Sequence, residues 1–275
     1  MTRRLRLDAE LVRRGLARSR DHAAELIAAG RVSVGGTPAR KPATGVSTDQ
    51  AVLVRDDVDD PRWASRGAHK LLGALEVLEP LGLAPVEGRR CLDAGASTGG
   101  FTDVLLRRGA AQVVAVDVGY GQLVWSLQQD PRVVVHDRTN VREIDPERVG
   151  GQVDLVVSDL SFISLRVVLP ALASVARPGG DMVLMVKPQF EVGRERLGKK
   201  GVVRDPELRA EAVERVCAAA GLLGWGTAGL APSPLPGPTG NVEYFCWLRT
   251  DAATAGPDEA RAVVAAGPDT GRTPA

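Results

Sequence analysis

The sequence predicts an α/β protein in which a doubly wound, mostly parallel seven-stranded sheet with an antiparallel last strand follows a small α+β module. Three observations carry this. From about residue 65, short apolar strands that stop on polar residues alternate with helical stretches, the rhythm of a parallel sheet. The first of those strands, Cys91-Leu92-Asp93, runs into the turn Ala94-Gly95-Ala96-Ser97-Thr98-Gly99-Gly100-Phe101 and then a helix. Glycines there let the backbone approach a ligand that a Cβ would block, and the helix start turns free N–H groups toward it. The last strand follows a proline- and glycine-containing loop, so it pairs antiparallel with its neighbour.

Composition agrees with one full α/β domain plus an accessory module. The chain has 275 residues, 44% hydrophobic and 25% charged, ordinary proportions for a globular protein with a sizeable core. No apolar run approaches the roughly 20 residues a membrane-spanning helix needs, and the basic start Met1-Thr2-Arg3-Arg4-Leu5-Arg6 lacks the apolar stretch of a secretory signal. A cytoplasmic protein is expected. Cys91, Cys217 and Cys246 lie far apart in apolar surroundings, without metal-ligand spacing, and read as reduced core residues. The net charge of +1 conceals an asymmetry: residues 1–41 hold ten Lys and Arg against four Asp and Glu. A basic module of this kind points to a polyanionic partner.

In the N-terminal module, residues 1–55, Leu5, Leu7, Leu11, Val12 and Leu16 recur at helical spacing, with Gly15 near the end. Ser19 is an N-cap candidate for a second helix with the stripe Ala23, Ala24, Leu26 and Ile27, closed by Gly30. Arg31-Val32-Ser33-Val34-Gly35-Gly36-Thr37 predicts a strand entering a tight turn, and Ala51-Val52-Leu53-Val54 another strand. The cations Arg4, Arg6, Arg13, Arg14, Arg18, Arg20 and Arg31 lie on or beside the helices, either as a solvated face or as a surface for nucleic acid. This order of helix, Ser19-Arg20, helix and Gly30-Arg31-Val32-Ser33-Val34-Gly35-Gly36 resembles the S4 RNA-binding domain. That resemblance implies RNA contact by Arg4, Arg6, Arg14, Arg18, Arg20 and Arg31.

Residues 56–64, beginning Asp56-Asp57-Val58-Asp59-Asp60-Pro61, read as a linker. Trp63 follows, placed either to join the two domains or to pack on its own. The second domain spans 65–250. Its strands are predicted at 90–93, 112–117, 132–136, 153–159, 181–187, 225–230 and 241–248, and its helices at 66–80, 99–108, 121–129, 164–176 and 205–220. Asp205-Pro206-Glu207 makes a good start for the last helix. Residues 251–275, rich in Ala, Gly, Pro, Asp and Thr, are expected to be disordered.

The glycine turn alone suits either a dinucleotide enzyme or a methyltransferase. Asp117, at the end of the second strand, is placed to accept hydrogen bonds from ribose hydroxyls in either class. Asp93 before the glycines suits the amino end of a methionine moiety, which a dinucleotide lacks. The antiparallel last strand favours a methyltransferase as well, so S-adenosylmethionine is the expected cofactor. Its candidate contacts are Asp93, Gly95, Ala96, Ser97, Gly99, Gly100, Phe101, Asp117, Asp137, Asn140 and Asp159. Asp137 and Asn140, in His136-Asp137-Arg138-Thr139-Asn140, lie where adenine contacts are usual, or cap the next turn.

Asp159 and Lys187 close the fourth and fifth strands at the sheet edge that faces a ligand crevice. Lys70 and Glu243 complete a Lys-Asp-Lys-Glu set, although singly each also reads as surface charge. With the glycine turn this set resembles the FtsJ-like ribose 2′-O-methyltransferases. Adding the S4-like module, Arg66-Gly67-Ala68-His69-Lys70-Leu71, Asp159-Leu160-Ser161-Phe162-Ile163-Ser164 and Lys187-Pro188-Gln189-Phe190-Glu191, residues 3 to about 249 resemble the TlyA-type family. The family is known both as hemolysin A and as 16S/23S rRNA cytidine 2′-O-methyltransferases. The resemblance implies a Rossmann-like class I methyltransferase domain and a cytidine ribose of ribosomal RNA, within ribosomal subunits, as acceptor.

That chemistry asks for such residues, because a ribose hydroxyl is a poor nucleophile until its proton is removed. Lys187 is expected to take that proton or position the hydroxyl, Asp159 to orient it, and Lys70 and Glu243 to complete the network. The loop 193–201, with Arg194, Arg196, Lys199 and Lys200, is expected to meet RNA phosphates through Lys199 and Lys200, or else to be solvated. Two other classes compete. An RNA-binding NAD-dependent oxidoreductase lacks an evident hydride-transfer acid/base pair. A membrane-active hemolysin lacks a spanning segment and a cationic amphipathic helix with aromatic anchors.

Overall fold

A computed structural model of the protein describes residues 4–17, 20–55, 62–198, 201–237 and 239–268. Arg18, Ser19, Lys199, Lys200, linker residues 56–61 and the end of the tail lie outside the described residues. The chain divides into two units, Met1–Arg62 and Trp63–Ala275.

The first unit runs β1 (Leu5–Arg6), α1 (Leu7–Arg13), α2 (Arg20–Ala28), β2 (Val32–Val34), β3 (Thr37–Pro38), β4 (Gly45–Val46) and β5 (Val52–Val54). Strands β3-β2-β5 form one antiparallel sheet and β1-β4 a second. Gly35 and Gly36, at φ +57° and +82°, make the two-residue turn whose twist suits a hairpin. Leu7, Leu11, Ala23, Leu26, Ile27, Val32, Val46 and Val52 share the core. The first helix is shorter than its apolar spacing suggests. Leu5 pairs with Val46 in β1, and Leu16 lies past the helix end, where Gly15 at φ +70° turns the chain away.

In the second unit the order is α3 (Gly67–Leu78), β6 (Arg90–Ala94), α4 (Gly100–Arg107), β7 (Gln112–Val116), α5 (Trp125–Gln128), β8 (Val133–His136), β9 (Val153–Ser158), α6 (Leu165–Val175), β10 (Ala176–Val186), α7 (Pro188–Glu191), α8 (Pro206–Gly221), β11 (Gly226–Pro232), β12 (Tyr244–Arg249) and α9 (Pro257–Ala265). The strands assemble as β11-β12-β10-β9-β6-β7-β8, with β12 antiparallel to both neighbours and the pairs from β10 to β8 parallel. This is the expected seven-stranded sheet. Side chains alternate across it: Leu92, Val156 and Leu184 join the core under α6, α8 and α9, while Cys91, Leu155, Val183 and Phe245 join the core under α3 and α4. Chain order reverses at β6, flanked by β9 and β7, which opens a crevice beyond their C-terminal ends.

Three expectations need correction. The helix predicted at 121–129 is only the single turn α5, because Leu123 and Leu127 are drawn into the core against Gly99. Strand β10 begins five residues early, at Ala176, with a bulge before Asp181. The segment after residue 250 is not disordered throughout, since α9 buries Ala260, Val263 and Val264 in the core that also contains α8. Trp63 packs on its own unit, with the Arg107 guanidinium 4.2 Å from its ring centroid.

Candidate active site

The glycine turn holds its shape through backbone contacts. Gly95, at φ +88°, donates its N–H to Val116 O at 2.8 Å, and a Cβ on it would lie 2.9 Å from Asp159 O. No other residue fits there without displacing the end of β9. Gly99, at φ +99°, forms the N-cap of α4 beneath Leu123 and Leu127, and a Cβ on Gly100 would meet Ser65 and the backbone of Ala68 in α3. Ala96 is buried beside Gly95, and Ser97 takes a left-handed φ of +48°. The glycines thus let the turn pack tightly against α3, α5 and the end of β9, with Gly95 half-buried and Ser97 exposed.

Three acids surround it. Asp93 is fully buried; its Oδ2 accepts from Thr102 Oγ1 at 2.7 Å, and Oδ1 has no partner among the described residues. Burial, with smaller contributions from the nearby Asp159 and Asp117 charges, pushes its carboxyl up to about 7. A cationic group arriving at Oδ1 would satisfy both the orphan oxygen and the disfavoured charge. Asp117 accepts backbone N–H groups from Ser97 at 2.8 Å and Gly119 at 2.7 Å, fixing the loop after β7 to the glycine turn. Asp137 accepts the Gly121 N–H at 2.9 Å. Asn140 caps the turn 141–143 through the Arg142 N–H, the capping alternative. The Phe101 side chain is 3% exposed and packs 6.1 Å from the Phe245 ring, in the core under α3 and α4.

Beside the glycine turn, four charged side chains from four elements form one alternating line. Lys70, on α3, places Nζ 2.5 Å from Glu243 Oε2 and 3.9 Å from Asp159 Oδ2, while Asp159 Oδ1 lies 2.5 Å from Lys187 Nζ. Two amines alternate with two carboxylates. Glu243 is 1% exposed and the Asp159 side chain 23%, so the line is sealed at Glu243 and reaches solvent near Asp159. Glu243 directly precedes β12, where a Cβ on Gly237 would come within 2.6 Å of its Oε1. The turn after Lys187 is pinned by buried Glu191, which accepts Ser164 Oγ at 2.6 Å and the Leu165 N–H at 2.7 Å.

The sequence reading omits Ser161 from the site, yet its hydroxyl accepts from Lys187 Nζ at 2.9 Å. Its place two residues after Asp159 was the available signal.

In the N-terminal unit the arginines divide. Arg14 is held by Glu10 at 2.7 Å and by the carbonyls of Ser47, Thr48 and Gln50, with its side chain 21% exposed. Arg6 and Arg20 both pair with Asp8 at 2.9 Å but stay more than half exposed. Arg31 donates to Arg55 O, and Arg4 is exposed. In the loop after α7, Arg196 pairs with Glu211 on α8.

A doubly wound sheet with this strand order, a glycine turn after its first strand and a buried Lys-Asp-Lys-Glu line define a class I methyltransferase domain. Residues 63–250 match the model of the FtsJ-like methyltransferases and residues 5–52 that of the S4 domain, and the chain belongs to the FtsJ-like methyltransferase family. It is 64% identical over 250 residues, 91% of each chain, to the 16S/23S rRNA (cytidine-2′-O)-methyltransferase TlyA of Mycobacterium tuberculosis. It is 35% identical to Hemolysin A of Brachyspira hyodysenteriae over 242 residues, 88% of this chain and 98% of that one. A solved structure from Streptococcus thermophilus, also named as a hemolysin, matches with a TM-score of 0.76 at 38% identity, covering 97% of this chain and 96% of that one. Among the described residues no helix is long and apolar enough to cross a membrane.

Proposed function

We propose that this chain transfers a methyl group from S-adenosylmethionine to the ribose 2′-hydroxyl of a cytidine in 16S or 23S rRNA, acting on ribosomal subunits in the cytoplasm. The observation that carries the reading is the alternating line Glu243–Lys70–Asp159–Lys187 beside the Gly95 turn. Asp93 would hold the cofactor's amino group, the backbone of Gly95, Ala96, Ser97, Gly99 and Gly100 would line its path, and Asp117 would take its ribose hydroxyls, with Asp137 nearby. When bound, S-adenosylmethionine supplies an electrophilic methyl on a sulfonium.

Lys187, buried beside the solvent-facing Asp159, would take the proton from the ribose O–H. Asp159, shared between both lysines, fixes the Lys187 amine and stabilises the ammonium once it has gained that proton. Lys70 and Glu243 hold Asp159 from the buried side, so the acceptor meets groups that do not reorganise during transfer. Arg4, Arg6, Arg20 and Arg31, with Lys199 and Lys200, are proposed to meet RNA phosphates, which makes binding fall steeply with salt.

The test is to incubate the protein and labelled cofactor with separated ribosomal subunits and with naked rRNA, then map the modified positions. Cytidine 2′-O-methylation is expected; label on bases, or on no RNA, would overturn the proposal.

A further inference from the structure

The Lys187 amine has two partners, Asp159 Oδ1 at 2.5 Å and Ser161 Oγ at 2.9 Å. A lysine nitrogen is tetrahedral, with one corner bonded to Cε. In the neutral amine the other three corners hold two N–H bonds and a lone pair. If Asp159 alone takes an N–H, the second N–H and the lone pair can exchange corners by rotation about Cε–Nζ. A second acceptor removes that freedom and leaves the lone pair one corner.

We infer that Ser161 is a positioning residue for methyl transfer: its hydroxyl fixes the rotation of the Lys187 amine so that the lone pair faces the acceptor hydroxyl. This rests on the reading of Lys187 as the group that takes the ribose proton. Two further observations support it. Asp159 is itself clamped between Lys70 and Lys187, so the first acceptor is fixed relative to the sheet. Ser161 is exposed on the turn between β9 and α6, and its own O–H has no acceptor among the described residues. Ser164, three residues on, is by contrast engaged with Glu191.

The experiment compares single-turnover methylation of isolated ribosomal subunits by the full-length protein and its Ser161→Ala, Ser161→Thr and Lys187→Ala variants, with cofactor affinity and thermal melting measured alongside. Ser161 is exposed, so both substitutions are expected to fold normally. Ser161→Ala should lower the maximal rate about tenfold, the scale of a positioning defect, without a change in KM or cofactor affinity. Ser161→Thr, which keeps the hydroxyl, should return to within threefold of the parent. A loss below threefold in Ser161→Ala, a loss confined to KM, or a Ser161→Thr rate no better than that of Ser161→Ala overturns the inference. Lys187→Ala separates the two proposals: if it keeps the parent rate, the proton-accepting role of Lys187 fails, whatever the serine variants do.

Discussion

Lys70 and Glu243 are separated by 173 positions in sequence, yet their charged atoms lie 2.5 Å apart with both side chains buried. Removing one member of such a pair leaves a buried charge without its main partner, at a cost of about 3–5 kcal/mol. Glu243→Ala should therefore destabilise the protein by that amount, since Asp159, at 3.9 Å, is a weaker substitute. The double variant Lys70→Met/Glu243→Leu should recover most of the stability while methyl transfer stays low. Urea denaturation with single-turnover assays reads both; a double variant no more stable than Glu243→Ala would show that the pair is not what the single substitution breaks.

Asp93 predicts a pH dependence of unusual sign. An exposed aspartate titrates near ~4, whereas burial pushes this one up to about 7. Between those values the folded state holds a proton that the unfolded state has released. Stability from this group is thus full below about pH 4 and declines as pH rises toward 7. Asp93→Asn cannot ionise, so the difference in unfolding free energy between variant and parent, read from urea melts, should grow in the variant's favour from pH 5 to pH 8, by a few kcal/mol at most. Other titrating groups are common to both proteins and cancel in the difference. The same variant should bind S-adenosylmethionine at least tenfold more weakly by calorimetry.

Much of this site is legible in the sequence because strand ends are. Apolar runs that stop at Asp93, Asp117, Asp159 and Lys187 place those side chains on one edge as soon as the strands are parallel. What local pattern does not disclose is the choice a side chain makes among distant partners. Phe101 lies in the first turn of α4, where either the crevice or the core can receive it, and only the position of Phe245 decides for the core. Arg14 looks like its neighbours until the carbonyls of residues 47, 48 and 50 fold over it. In α9 the apolar residues Ala260, Val263 and Val264 follow helical spacing, but their small side chains sit in a composition typical of disorder.

Arg14 and Arg20 should separate in experiment. Arg14→Ala removes one ionic contact to buried Glu10 and the hydrogen bonds to the carbonyls of Ser47, Thr48 and Gln50, and hydrogen bonds of a charged group contribute about 1.5–3 kcal/mol. Hydrogen exchange of amides in 7–28 should accelerate accordingly. Arg20→Ala removes a partly solvated pair with Asp8, so exchange should change little while RNA binding weakens and its salt dependence shrinks. Equal acceleration of exchange in both variants would contradict this division.

Glu10 gives the N-terminal unit an acid limit. Its carboxyl is held down to about 2, first by the Arg13 hydrogen bond and then by Arg14, against the opposing effect of burial. An ordinary glutamate titrates near ~4.3, so this contribution is complete above that value and is lost as pH falls toward 2. Amides of 7–28 should lose protection across that window in the parent, and Glu10→Gln should flatten the loss while lowering protection at neutral pH. Unchanged acid sensitivity in Glu10→Gln would assign the effect to Asp8 instead.

Helix α9 lies beyond the 63–250 span of the family match, yet it completes the core on the α8 side of the sheet. Its start is organised by the Gly256 N–H donating to Glu259 Oε2 at 3.1 Å, and Arg261 reaches Glu207 on α8. The exposed Arg261 pair contributes little; burial of Ala260, Val263 and Val264 contributes most, at about 25 cal/mol per Å² of apolar area. Truncation after residue 250 should lower the melting temperature and expose apolar surface to a dye such as ANS. Arg261→Ala should do neither, and Val263→Asp should reproduce the truncation in the full-length chain. A truncated protein that melts with the parent would mean that α8 and β11 form a complete core without α9.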